Sequence, residues 1–90
     1  PIPDLLYTQG VILIRAGEFQ QAITSLQGAI EEGDSAVRRF HLAQAFAGNK
    51  DRDAARFHLK EAERMKLNER SLDEREISSY RSLKSELDQN

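Results

Sequence analysis

The sequence predicts an all-α domain of five helices, and three observations carry that prediction. Apolar residues recur at helical intervals along almost the whole chain, and no stretch keeps up a period-two alternation. Both prolines lie within the first three residues, which leaves the rest of the chain free of the strongest helix breaker. A skeleton of small and large residues returns 33 positions later: AGEFQQAITSLQGAI is answered by NKDRDAARFHLKEAE.

The first helix is expected over about residues 3–15. Pro3 lacks a donor that would be orphaned at a helix start, and Asp4 favours the positive end of the dipole. Gly17 stops it. The second runs over about residues 19–32, with Phe19, Ala22, Ile23, Leu26, Ala29 and Ile30 on one stripe. Gly33 is the expected left-handed cap. Asp34 or Ser35 caps the third helix, which ends near Gly48 and Asn49. Its apolar set is Val37, Phe40, Leu42, Ala43, Ala45 and Phe46. The fourth covers about residues 51–65, with Ala55, Leu59, Ala62 and Met65 on one face. The fifth is expected over about residues 71–88, opened by a capping box of Ser71 and Glu74. Ile77, Tyr80, Leu83 and Leu87 form its single apolar stripe. Arg75, Glu76, Lys84 and Glu86 are placed on the opposite, solvated face.

Ninety residues are one small domain, residues 1–90. The opening PIPDLL, without Met or a basic leader, reads as a piece of a longer protein. No apolar run approaches the roughly 18–20 residues of a membrane span. The absence of cysteine excludes disulfides and thiolate metal sites. Charge is uneven. Residues 1–34 carry one Arg against five acids, residues 35–67 eight bases against four acids, and residues 68–90 four against six. The basic third is interrupted by acids and lacks interleaved aromatics, so it reads as a solvated face and not as a nucleic-acid patch.

The repeat has a packing reason. Where two helices cross within roughly 8–10 Å, one side must be nearly bare. Gly10 and Ala22, then Ala43 and Ala55, are the bare positions, and Leu13, Leu26, Phe46 and Leu59 fill the space between. This set resembles the tetratricopeptide repeat family. The first copy reads Leu6, Gln9-Gly10-x-x-Leu13, Ala22-x-x-x-Leu26, Ala29. The second reads Leu42-Ala43-x-x-Phe46, Ala55-x-x-x-Leu59, Ala62. The likeness covers about residues 4–67. It departs from the family in having no Trp, in Asp34 and Leu67 where the closing Pro would stand, and in a period one residue short. It implies two hairpins, about residues 3–34 and 35–67, stacked as a short right-handed superhelix and sealed by the fifth helix.

No catalytic constellation emerges, and no enzyme activity or cofactor is expected. His41 and His58 sit on different helices without ligand-spaced partners, where zinc needs three or four. Neither phosphate-binding glycine motif is present. The resemblance instead implies protein–protein interaction, by a concave face lined from the first helix of each pair. That face would offer Tyr7, Val11, Ile14 and Arg15, with Phe40, His41 and Gln44, to a peptide or helix. Tyr7 and Val11 stand where some relatives of that family clamp a peptide carboxylate with polar residues, which argues against such a clamp. The alternative is a homodimer formed through the same apolar patch. No nucleic-acid or membrane partner is expected.

Overall fold

A computed structural model describes residues 4–89. Its described residues form α1 (Leu5–Arg15), α2 (Phe19–Glu32), α3 (Ala36–Gly48), α4 (Arg52–Arg64) and α5 (Glu74–Asp88). A short 3-10 turn, Glu69–Ser71, separates α4 from α5. Neighbours in sequence are neighbours in space: α1 packs on α2, α2 on α3, α3 on α4, and α5 closes over α3 and α4. The expected start at Pro3 lies outside the described residues.

The bare positions are where the helices meet. Ala22, Ala29, Ala43, Ala55 and Ala62 are all fully buried, and Leu26 and Leu59 fill the gaps between them. Gly10 is buried too, and a methyl group there would fall on the Leu26 side chain. Two clusters result. One joins α2 to α3 through Ala22, Ile23, Leu26, Leu42 and Ala45. The other joins α3, α4 and α5 through Phe40, Ala43, Ala55, Leu59, Leu83 and Leu87. Phe46 packs against both.

The turns repeat as well. After α1, the Glu18 N–H bonds the Leu13 carbonyl at 2.9 Å, and Gly17 takes φ 78°. After α3, 33 residues on, Asp51 bonds Phe46 at 2.9 Å and Lys50 takes φ 68°. This six-to-one closure needs a left-handed residue, and the second copy adopts it without glycine. Lys66 does the same after α4, with φ 65°.

Two expected caps differ. Gly33 is extended, with φ −178°, because the Arg38 guanidinium and not a left-handed turn ends α2. Arg38 donates to the carbonyls of Ala29 at 2.6 Å and Gly33 at 2.9 Å, and to the Asp4 carboxylate just before α1 at 2.7 Å. The capping box of α5 is Asp73 with Glu76, not Ser71 with Glu74. The 3-10 turn takes up Ser71 and delays the helix. Ser35 caps α3 as expected, accepting from the Arg38 N–H at 3.1 Å.

Several bases of the middle third bind backbone or neighbours. Arg52 and Arg56 donate to carbonyls at the end of α5, Glu86 and Leu87, and to Gln89 just beyond it. Arg39 grips Asp34 through two bonds of 2.9 and 2.8 Å.

Candidate functional site

One cleft gathers most of the residues expected on the concave face. It measures about 100 Å³ and lies between α1, α3 and α5. Val11, Ile14 and Arg15 come from α1, and His41 and Gln44 from α3. The third wall, Arg75, Glu76 and Ser79, comes from the start of α5.

Each helix brings its residues for a simple reason. On α1, Val11, Ile14 and Arg15 are spaced three and four apart and share one face. On α3, His41 and Gln44 are three apart and share a face. On α5, the cap sets the wall. Glu76 Oε1 accepts the Asp73 N–H at 3.0 Å, and Asp73 Oδ1 accepts the Glu76 N–H at 2.8 Å. That leaves Glu76 Oε2 aimed at His41 Nε2, 2.8 Å away.

His41 is the floor of the cleft, only 3% exposed. Its Nδ1 lies 2.9 Å from Gln44 Oε1. A carboxylate only accepts, so the His41 Nε2 carries a proton toward Glu76. The Gln44 amide serves Nδ1 in either protonation state, as acceptor or, turned over, as donor. Burial pushes the imidazole below its ordinary pKa, against the opposing pull of the Glu76 carboxylate. The Tyr7 ring meets His41 edge-on at 5.4 Å. Burial, helped by the Glu76 charge, raises the Tyr7 hydroxyl to about 12. This network is closed: among the described residues no buried side-chain nitrogen or oxygen lacks a partner.

Phe40 is a correction to the expected surface. It is fully buried, 5.9 Å from the Tyr80 ring in an edge contact beneath α5. The fifth helix covers the face where Phe40 was expected to stand open. His41 is covered for the same reason. Tyr7 is half-buried and lines a separate hollow with Asp4 and Arg38. Val11, Ile14 and Gln44 are half-buried at the cleft, and Arg15 is exposed.

Arg75, Glu76 and Ser79 were missed. Arg75 and Glu76 were expected on the solvated face, yet Glu76 stands four before Tyr80 and seven before Leu83, which puts it on the apolar stripe by helical spacing. The signal that would have found them is the Asp73-x-x-Glu76 spacing, an alternative capping box in the same stretch.

Among the described residues no group of three His, Cys, Asp or Glu is placed to hold a metal, and no helix is long and apolar enough to cross a membrane.

No protein-family model, no curated protein and no solved structure matches this chain.

Proposed function

We propose that this domain is a non-catalytic protein-interaction module of tetratricopeptide-like build, holding a short peptide segment at the cleft between α1, α3 and α5. The observation that supports this reading most is convergence. Val11, Ile14, Arg15 and Gln44, chosen from the repeat pattern, line one cleft with Arg75 and Ser79. The cleft is small, so it takes a single side chain of the peptide and leaves the rest on the rim. Val11 and Ile14 suit an aliphatic group. Arg15 and Arg75 enter no ion pair among the described residues, which suits an acidic neighbour. The tied His41–Glu76 floor keeps the walls in place before binding, so little ordering cost falls on the complex.

The test is a random-peptide display screen against the whole chain. Enriched peptides should pair an aliphatic residue with an acid. Arg75→Ala and Gln44→Ala should each weaken the best peptide while leaving the melting temperature unchanged. A charge-assisted hydrogen bond is worth about 1.5–3 kcal/mol, so the Arg75 change should cost tenfold or more in affinity. A screen without enrichment, or peptides indifferent to both changes, would overturn the reading.

A further inference from the structure

His41 is set between two oxygens. Its Nε2 lies 2.8 Å from Glu76 Oε2, and its Nδ1 lies 2.9 Å from Gln44 Oε1. A neutral imidazole has one N–H and a charged one has two. The surroundings therefore hold an acceptor for each N–H of the imidazolium, and a second proton needs no side chain to move. The ring and both acceptors line the cleft, so a group seated there lies against all three.

Burial and charge hold that second proton off. Burial comes first, and the Arg15 guanidinium adds to it. Arg15 comes from α1, and Arg75 of α5 lines the same cleft. Of the other charged groups nearby, Asp4 is bonded to Arg38 at 2.7 Å, and Asp73 accepts the Glu76 N–H at 2.8 Å. The Tyr7 hydroxyl, raised to about 12, stays neutral where imidazole titrates. Among the described residues the cleft thus carries two arginines against one glutamate, with His41 neutral. Protonating His41 takes the cleft alone from one net positive charge to two. With a carboxylate between the arginines, the same step goes from none to one.

We propose that the cleft takes up an acidic peptide and a proton together, with His41 Nδ1 as the seat of the proton. This rests on the peptide reading above. The proton comes from solvent, forms the Nδ1–H bond and donates to Gln44 Oε1. The peptide carboxylate lies with Arg15 and Arg75, and the His41 charge offsets Glu76, which otherwise repels it. Linkage is reciprocal: what the carboxylate does for the charged ring, the charged ring does for the carboxylate. The peptide is therefore held more tightly as pH falls through the His41 midpoint, and released as pH rises.

The test is a pH titration of the whole chain by NMR, following the Cε1 proton of His41. The chain has two histidines, so His58→Gln assigns the remaining signal. The probe is acetyl-Leu-Glu-amide, and acetyl-Leu-Gln-amide is its uncharged match. Amide shifts at Val11 and Ser79 report whether either probe is seated at the cleft. The Glu probe should lift the His41 midpoint by about half a unit or more above that with the Gln probe, which is about threefold in affinity between the two ring states. Equal midpoints with both probes seated, or a lower one with the Glu probe, would overturn the proton linkage and leave the peptide reading standing. No shift at Val11 or Ser79 with either probe would overturn both.

Discussion

The two hairpins share a skeleton and differ in what lies on them. The second hairpin, α3 with α4, has α2 on one side and α5 on the other. The first, α1 with α2, has α3 on one side only. The difference shows at equivalent positions. Ala45 is fully buried, while Ile12, which is larger and more apolar, is 58% exposed. Burial here follows neighbours and not hydropathy, and the tight position holds the small residue because a helix crosses close above it.

The largest break in this comparison is expected at Phe40. It is fully buried, so Phe40→Ala should lower unfolding free energy by about 3–5 kcal/mol in a denaturant titration. Tyr7→Ala, at the equivalent half-buried position of α1, should cost clearly less. Equal losses would mean that the hairpins are equally covered. Next comes a swap in register. Ala45→Ile should cost roughly 1–3 kcal/mol by overpacking the α2 contact.

A pH titration sharpens the comparison further, because both histidines lie in the second hairpin. His41 is held below its ordinary value of 6.5, chiefly by burial, and His58 is lowered by burial and by the Arg39 charge. The unfolded chain therefore takes up protons that the folded chain resists. Stability is full above 6.5 and falls as pH drops through that value toward the folded pKa. His41→Gln should flatten part of this acid limb in melting temperature against pH, whatever it does to the level at neutral pH. An unchanged slope would remove His41 from the account. The smallest effect belongs to the first hairpin: Ile12→Ala should stay within about 0.5 kcal/mol in the dilute chain, as an exposed site does.

Much of the fold was legible in the sequence for a local reason. Helix spans follow from periodicity and stops, and α2 falls on the predicted residues because Phe19 and Gly33 bound a clear stripe. Ala22, Leu26, Ala29, Ala55, Leu59 and Ala62 were readable as core because close helix crossing needs small residues at fixed spacing. What was not legible depends on contacts far along the chain. Gly33 does not turn left-handed because Arg38 reaches back to the end of α2. The fifth helix starts at Glu74 because the segment before it forms a 3-10 turn, which moves the cap to Asp73. The cap holds one Glu76 oxygen on the Asp73 N–H and leaves the other on His41. The cleft was half visible for the same reason: α1 and α3 announce their walls by repeat, while α5 belongs to no repeat and gives no such cue.

The central place of α3, touched by all four other helices, has a consequence in time as well as in space. Phe40 to Ala43 and Ala45 are buried in its middle. Hydrogen–deuterium exchange in the middle of α3 should therefore wait for global unfolding, whereas α1 and α5, each held from one side, can release their amides through smaller openings. The slowest-exchanging amides of the chain should thus form one contiguous run around Phe40 to Ala45, with protection falling away toward both outer helices.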